Sequence, residues 1–259
     1  MQSVISVTMR QAGRKVEGTM EPSFEEEVRM LSMVDVLEPL SQEELEELAK
    51  RHPDILLEKG QFLYTPQERS ERLFFLKHGR VRIYRVAEGR EVTLAMVDDG
   101  TVFGEMALTD QHLREAYARA EEPSTLLTMG RQDLERLILE NPKVGLRIAR
   151  LLSDRLHVYE NRLEAITLKQ VPARLASLLL LLAESEGVMT SGKEIRIPSR
   201  YTHEMLGTMV GSTRVGVTRA FSRLQDEGAV DLRRREIHLK DLEALKRVAE
   251  QAVRQKEEA

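Results

Sequence analysis

Cysteine and tryptophan are absent from the 259-residue chain, and aromatic residues make up only 4% of it. The lack of cysteine excludes a disulfide framework, a thiolate zinc site, a cysteine-held iron–sulfur cluster and a cysteine nucleophile, and it favours a reducing, cytoplasmic compartment. The longest apolar run, residues 178–183, is far shorter than the ~20 residues that a membrane span needs. The first 25 residues also lack the apolar core of a signal peptide. We therefore expect a protein that neither enters a membrane nor is exported.

The remaining composition, 41% hydrophobic and 32% charged, is enough for one large domain or two ordinary ones. The net charge of −4 is unevenly distributed, since residues 170–259 carry 15 basic and 13 acidic side chains, against 24 and 30 in residues 1–169. Within residues 196–240 the balance is nine basic to five acidic. This asymmetry favours a polyanionic partner for the C-terminal part, although a solvated surface of mixed charge is the alternative.

Alternating apolar segments dominate the first half of the chain. Residues 1–22 show no lasting period and are interpreted as an N-terminal extension, whereas Ser23 and Ser41 each open a predicted capping box. The segments 73–76, 81–84 and 92–96 are separated by glycines, which is typical of an antiparallel β-sandwich or small barrel. We therefore predict a sensor domain over residues 23–140.

A long helix with one apolar stripe is predicted after Asn141–Pro142, over residues 141–169. Its apolar residues recur at spacings of three and four, which is the pattern of a coiled-coil seam. The predicted dimer interface consists of Ile148, Leu152, Leu156, Tyr159, Leu163 and Ile166. Packing of the stripe against the protein's own β domain is the alternative.

A second unit is predicted over residues 170–249, followed by a tail at 250–259. Pro172 marks its boundary, and its first helix is predicted from Arg174 to Glu184. The segment Thr202–Gly228 has the spacing of a helix-turn-helix. Thr202 is expected to cap the first helix, Gly211 to break it, Ser212 to cap the second and Gly228 to end that one.

The second helix of this motif carries a polar face. Val217, Phe221 and Leu224 recur at i, i+4 and i+7 and should face the core, so the opposite face presents arginine forks suited to guanine in a major groove. A hairpin follows, with three arginines at its tip that could meet phosphates, although a solvated turn is the alternative. The predicted DNA-binding residues are Ser212, Thr213, Arg214, Val215, Thr218, Arg219, Arg223, Arg233, Arg234 and Arg235.

This order of elements resembles the cyclic-AMP receptor protein and fumarate–nitrate regulator (Crp/Fnr) family over residues 25–245. The most specific matches are the segment 103–108 followed by Arg114, which is similar to the family's phosphate-binding cassette, and the segment 211–219. The resemblance implies an α+β protein with an N-terminal β-roll (jelly roll) like a cyclic-nucleotide-binding domain, a long dimerisation helix and a C-terminal winged helix-turn-helix. It also implies a homodimer that binds double-stranded DNA and RNA polymerase.

The effector is where the chain departs from the family pattern. In cyclic-nucleotide-binding members the residues at Glu105 and Arg114 hold the ribose and the cyclic phosphate, but Glu115 follows where the family has Ser or Thr. A carboxylate ~4 Å from a phosphate would cost up to ~4 kcal/mol at an effective dielectric near 20. In addition, Tyr159–Glu160 replace the adenine-contacting Thr–Ser pair. Candidate pocket residues are Gly104, Glu105, Met106, Arg114, Glu115, Tyr117, Arg119 and Tyr159.

These departures predict a regulator without cofactor, for which cyclic AMP is not the effector. Two alternatives are a small anionic metabolite bound by Arg114, Tyr117 and Arg119, and a vestigial pocket in which Arg114 pairs with Glu115 or Glu105. The absence of cysteine excludes iron–sulfur sensing, and the six histidines show no spacing that favours haem.

The recognition helix is similar to that of the global nitrogen regulator branch, because Val215 follows Arg214 where the receptor protein has Glu. Valine cannot accept a hydrogen bond but can contact a thymine methyl group.

Two other functions are alternatives to DNA binding. Residues 187–193 match a phosphate loop in glycine and lysine spacing, but Glu194 occupies the magnesium-binding Ser/Thr position and no buried strand precedes it, so a turn between a helix and a hairpin is favoured. The other is a nucleotide- or metabolite-sensing binding module that regulates a protein partner through the C-terminal unit.

Overall fold

A computed structural model describes residues 23–52, 54–109, 113–190, 194–198, 200–233 and 236–251. Its contacts divide the chain into two compact units, the first formed by Met1–Gly89 with Leu94–Ser153, the second by Arg90–Thr93 with Asp154–Ala259. The predicted extension 1–22 and most of the tail 250–259 lie outside the described residues.

The helices are α1 (Phe24–Ser32), α2 (Gln42–Arg51), α3 (Arg131–Glu140), α4 (Pro142–Leu168), α5 (Val171–Glu186), α6 (His203–Val210), α7 (Arg214–Asp226) and α8 (Leu242–Ala249). Short 3₁₀ turns cover Asp35–Leu37 and Glu105–Leu108. The strands are β1 (Asp54–Leu57), β2 (Phe62–Tyr64), β3 (Arg72–His78), β4 (Val81–Ala87), β5 (Arg90–Val97), β6 (Val102–Phe103), β7 (Tyr117–Ala120), β8 (Ser124–Gly130), β9 (Val188–Met189), β10 (Ile195–Ile197), β11 (Val230–Arg233) and β12 (Glu236–Leu239). The predicted α+β class, with a β-rich domain, a long helix and a winged helix-turn-helix, is confirmed.

Two four-stranded sheets form the β domain of the first unit. Their strand orders are β1-β8-β3-β6 and β2-β7-β4-β5. The two sheets share one apolar core that draws on every strand from β1 to β8, including Tyr64, Phe74 and Phe103. A second core lies where α1, α2, α3 and the start of α4 pack against β3 and β8. The alternating apolar segments of the sequence are therefore the walls of a β-roll.

Strand β3 belongs to both cores. Leu73 and Phe75 pack in the helix-covered core, whereas Phe74 and Leu76 pack in the β-roll core. A strand that is buried on both faces has a continuous apolar run, which accounts for the sequence Leu-Phe-Phe-Leu. The run ends at Lys77, whose side chain has no exposed surface and whose Nζ lies 2.8 and 2.6 Å from the two carboxylate oxygens of Asp54 on β1.

Both predicted capping boxes are present. The Ser23 and Ser41 hydroxyls accept from the backbone N–H groups three residues later, and the Glu26 and Glu44 carboxylates accept from the backbone N–H groups of the serines. The glycines that separate the strands adopt positive φ at positions 60, 79, 89, 100 and 104. These local signals were therefore sufficient to place helix starts and turns.

Helix α4 has the predicted length of 27 residues, from Pro142 to Leu168. Ile148, the first of the predicted dimer-interface residues on this helix, is only 6% exposed because it packs in the helix-covered core of the first unit, so its assignment to the dimer interface was wrong. No helix in the described parts of the chain is long and apolar enough to cross a membrane.

The second unit is built around α5, α6, α7 and α8 and the sheet β11-β12-β10-β9. Helix α5 begins at Val171 and ends at Glu186, so the predicted bounds Arg174–Glu184 were too short at both ends. Pro172 lies inside the first turn, where its missing N–H has no intrahelical partner to lose. The apolar side chains of α5 fill the centre of this unit, as its all-round hydrophobicity predicted.

Candidate nucleic-acid interface and effector pocket

Helices α6 and α7 form the predicted helix-turn-helix. Thr202 caps α6 by accepting from the N–H of Met205, and Gly211 ends that helix in the left-handed conformation, with φ of 66°. The cap of α7 is Thr213, which accepts from the N–H of Gly216, so the assignment of Ser212 as the cap was wrong. Ser212 is instead part of the turn, because its N–H donates to the carbonyl of Gly207 at 2.8 Å.

The two helices approach closely at this turn, and glycine is required there. A Cβ on Gly207 would lie 2.9 Å from the backbone oxygen of Ser212 and 3.2 Å from the backbone carbon of Thr213. Arg174 on α5 supports the same turn, donating to the carbonyls of Ile166 at 3.2 Å and Gly211 at 3.4 Å. The α6–α7 geometry is therefore set by backbone contacts that only a residue without a side chain permits.

Helix α7 presents one face to the core and the other to solvent. Val217, Phe221 and Leu224 are buried, as their spacing predicted, together with Ala220. On the other face the predicted DNA-binding positions Thr213, Arg214, Val215, Thr218, Arg219 and Arg223 are exposed, and Ser212 is half-buried. Val215, on the solvent-facing side of α7, is 59% exposed.

The three arginines of this face differ in what they contact. The Arg223 side chain donates to Glu227 at 3.0 Å and to Gln251 at 2.9 Å. In the part of the chain that the structure describes, neither Arg214 nor Arg219 has a side-chain hydrogen bond or ion pair. Two guanidinium groups are therefore held out on the first two turns of α7 with their donors available to a ligand.

Sequence reasoning missed a fourth member of this surface, His203, the first residue of α6. Its Nδ1 lies 2.9 Å from Oγ1 of Thr218, and its ring stacks on Phe221 with centroids 4.8 Å apart. Burial, with a smaller effect of the nearby Arg214 charge, holds the pKa of His203 below its ordinary 6.5. No local signal could have identified it, because the contact joins residues 15 positions apart on two helices.

The hairpin β11–β12 follows α7, as predicted, in the position of a wing. Arg233 lies at its end, where its guanidinium contacts Asp231 at 2.8 Å and Glu194 at 3.1 Å. These two carboxylates raise the pKa of Arg233 above its ordinary value. Arg234 and Arg235 lie outside the described residues. Arg233 is thus engaged within the protein, and it would have to exchange these carboxylates for a phosphate to act as predicted.

Arg114 is the centre of the candidate effector pocket in the first unit. It is only 4% exposed, and its guanidinium lies 4.5 Å above the Tyr64 ring. It donates to the backbone carbonyls of Gly104 at 3.1 Å and Arg72 at 2.5 Å. Burial lowers the pKa of Arg114, while the nearby hydroxyl of Tyr64 and the carboxylates of Glu105 and Glu68 oppose that shift.

The cassette backbone is shaped around this arginine. Gly104 adopts φ of 87°, and a Cβ there would lie 3.0 Å from the Arg72 carbonyl oxygen and 3.3 Å from an Arg114 nitrogen. Glu105 and Met106 follow in the 3₁₀ turn and are half-buried. Gly104, Glu105 and Arg114 are thus brought together, as the cassette predicted.

Glu115 does not pair with Arg114. It is exposed and forms an ion pair with Arg85 on β4. The carboxylate that was expected to repel a phosphate is therefore opposed by a cation of its own, and the predicted repulsion is correspondingly reduced. The alternative in which Glu115 neutralises Arg114 was wrong.

Two other candidate pocket residues, Tyr117 and Arg119, lie on β7. Their neighbours Ala118 and Ala120 are completely buried in the β-roll core, so Tyr117 and Arg119 belong to the opposite face of the strand. There Tyr117 stacks on Tyr84 with ring centroids 5.1 Å apart, and Arg119 pairs with Glu121 at 2.9 Å. The structure does not bring them to Arg114. The eighth candidate, Tyr159, lies on α4 in the second unit.

The remaining predicted seam residues of α4 lie on its surface. Their exposed fractions range from 36% for Leu152 to 68% for Leu163, and the set comprises Leu152, Leu156, Tyr159, Leu163 and Ile166. We call these five residues the α4 stripe. The alternative, that the seam packs on its own domain, applies to Ile148 alone.

The segment 187–193, which has the spacing of a phosphate loop, lies between a helix and a hairpin, as the sequence analysis favoured. Gly187 is the C-cap of α5, and β9 pairs with β10. A helix rather than a buried strand precedes the segment, and residues 191–193 lie outside the described residues.

Comparison with known proteins agrees with both halves of this geometry. A family model described as a cyclic nucleotide-binding domain matches residues 55–141, and one described as a Crp-like helix-turn-helix domain matches residues 173–248. The chain is 30% identical over 183 residues to the global nitrogen regulator of Nostoc sp., covering 70% of this chain and 82% of that protein. It is 31% identical over 196 residues to the cyclic AMP receptor protein of Thermus thermophilus, covering 75% and 87%.

Solved structures show the same architecture. A CooA mutant from Carboxydothermus hydrogenoformans superposes with a TM-score of 0.71 at 26% identity, covering 84% of this chain and 95% of that one. A transcriptional regulator of the CRP/FNR family from Thermus thermophilus gives 0.62 at 28% identity, covering 76% and 98%. With its cyclic-nucleotide-binding-like β-roll, long helix and Crp-like helix-turn-helix, the chain belongs to the Crp/Fnr family of DNA-binding transcription regulators.

Proposed function

We propose that this regulator is a homodimer that binds a two-fold symmetric operator by inserting α7 of each protomer into a major groove. The observation that carries the proposal is that Arg214 and Arg219, on the first two turns of α7, are both exposed with no side-chain partner among the described residues. Leaving two cations unneutralised on one short segment costs electrostatic energy, which a polyanion would recover.

Base reading is assigned to the first two turns of α7. Arginine can donate two parallel hydrogen bonds to O6 and N7 of guanine, so Arg214 and Arg219 are the residues that should specify guanine. Val215, exposed beside them, has no polar group and is suited to a thymine methyl. Phosphate contacts are assigned to Ser212 and Thr213 at the N-terminus of α7.

Dimerisation is assigned to the α4 stripe. Five apolar side chains, spaced at threes and fours, are left partly or largely exposed on one long helix, and a second copy of the same helix would cover them. A symmetric dimer presents two recognition helices, so the half-sites should lie about one helical turn of DNA apart.

Cyclic AMP is not proposed as the effector. The guanidinium of Arg114 donates two of its five N–H groups to the carbonyls of Gly104 and Arg72, and only 4% of the residue is exposed, so little of it is accessible to a cyclic phosphate. The chain also has Tyr159–Glu160 where the resemblance leads us to expect an adenine-contacting Thr–Ser pair. We propose activity without ligand or with another small effector.

The test is selection of bound sequences from random duplex DNA by the wild type, Arg214→Ala, Arg219→Ala and Arg223→Ala. We expect each of the first two substitutions to cost ~1 to 3 kcal/mol of discrimination at one base pair of each half-site. Arg223 was predicted to bind DNA, but we assign it no base because its guanidinium is engaged by Glu227 and Gln251. Arg223→Ala is therefore the matched control and should leave the selected motif unchanged.

Two results would contradict the proposal. One is a motif that survives both Arg214→Ala and Arg219→Ala. The other is a wild-type protein that prefers no sequence at low salt, where phosphate contacts alone support binding. A motif without two-fold symmetry would remove the dimeric operator while leaving DNA binding intact.

A further inference from the structure

The helix-turn-helix contains a polar contact between side chains of its two helices. His203 begins α6, and its Nδ1 lies 2.9 Å from Oγ1 of Thr218 on the exposed face of α7. The ring is held in place by stacking on the buried Phe221, with an interplanar angle of 11°. His203 is therefore fixed on one side by packing, and its contact with Thr218 is directed rather than incidental.

The hydrogen-bonding capacity of Thr218 is largely used within the protein. A threonine hydroxyl has one proton and two acceptor sites. Its proton is donated to the carbonyl oxygen of Arg214, one turn earlier, at 2.9 Å. The contact with His203 must then be one in which Nδ1–H donates and Oγ1 accepts, because a single proton cannot serve both bonds. One acceptor site of the Thr218 hydroxyl and the methyl group are left uncommitted.

We propose that His203 is a positioning residue that sets base preference at the position that Thr218 faces. By occupying one of the two acceptor sites of the hydroxyl, His203 reduces what Thr218 can accept from a base and favours contact through its methyl, which selects the methyl group of thymine. Without His203, both acceptor sites would be open to the amino group of adenine or cytosine, and the preference would broaden. This inference rests on the proposed function, since it assigns a role within the same DNA interface.

The experiment compares the motifs that five full-length proteins select from random duplex DNA: the wild type, His203→Ala, His203→Asn, Thr218→Val and the double variant His203→Ala with Thr218→Val. A wrong base pair commonly costs about 5- to 150-fold in affinity. We expect the wild-type preference for thymine at one position to fall to about threefold or less in His203→Ala. Thr218→Val should keep the preference, because valine retains the methyl and has no hydroxyl to release.

The double variant separates positioning from a merely structural role. If His203 acts through the Thr218 hydroxyl, removing that hydroxyl restores the thymine preference that His203→Ala lost. His203→Asn, whose amide nitrogen can take the place of Nδ1, should select the wild-type motif. Circular dichroism on each variant confirms that the helix-turn-helix is folded.

Two outcomes would overturn the role of His203 alone: all five proteins selecting the same base at this position, or the double variant remaining as unselective as His203→Ala. Either leaves the proposed function intact, because the wild type still selects a motif. A wild type that selects no motif defeats the proposed function and this inference with it.

Discussion

The free energy that the α4 stripe should contribute to dimerisation can be estimated for one of its residues, Leu163. Full burial of a leucine side chain is worth about 1.5 to 3 kcal/mol, and 68% of Leu163 is still exposed in the protomer, so covering it should contribute about 1 to 2 kcal/mol. A symmetric dimer covers two copies, so Leu163→Ser should lose about 2 to 4 kcal/mol of dimerisation free energy. That loss raises the dimer dissociation constant about 30- to 700-fold.

The matched control is Val158→Ser on the same helix. Val158 is 52% exposed, similar to Leu163, but it lies five residues away and therefore about 140° round the helix from it. Removal of the Val158 side chain should leave the dimer dissociation constant unchanged. Sedimentation equilibrium at several loading concentrations measures both variants, and circular dichroism checks that each is folded. If Leu163→Ser dimerises as tightly as Val158→Ser, the interface is not the α4 stripe.

Three further predictions concern the turn, the histidines and the effector. Gly207→Ala should reduce the free energy of unfolding, measured in urea, by ~1 to 3 kcal/mol because the added Cβ would press on the Ser212 backbone. Gly130→Ala is the control and should cost less, since a Cβ there meets nothing closer than 3.6 Å. Equal losses of stability in the two variants would contradict this prediction. Burial lowers the pKa of both His52 and His203 below 6.5, so the unfolded chain binds more protons and the free energy of unfolding should fall as the pH drops from 7.5 to 5.5. Replacing both histidines by Asn should flatten that dependence, and an unchanged slope would exclude them as its source. Calorimetric titration should detect no cyclic AMP binding at micromolar ligand, and binding there with a gain in operator affinity would refute the proposal.

The features that the sequence predicted are those specified by neighbouring residues. The capping boxes at Ser23 and Ser41 act over three positions, and the α4 stripe repeats every three or four. The inward face of α7 follows from the same helical period. Each of these signals is contained within one helix, so no knowledge of distant contacts was needed.

The features that were missed depend on residues brought together by folding. Arg114 donates to a carbonyl 42 positions earlier, and Glu115 pairs with a residue 30 positions away. The sequence shows only that Arg114 and Glu115 are adjacent, so it could not reveal that each has a distant partner. Ile148 fits the helical period of the predicted seam, but its side chain is buried in the core of the first unit. The N-cap of α7 is Thr213 rather than Ser212, because the backbone of Ser212 lies against Gly207 and belongs to the turn.

The double burial of β3 has a consequence for how this chain folds. A strand with one polar face has its register fixed by hydrophobicity, because a slip by one residue would expose the apolar set. In β3 a slip that moves Phe74 and Leu76 into the helix-covered core also places Lys77 beside Phe75 in the β-roll core. A slip in the other direction places Arg72 in the helix-covered core. Either alignment would bury a charged side chain in an apolar core, and the first would also separate the Lys77 ammonium from Asp54. The charged residues at the two ends of the apolar run therefore fix the register of β3.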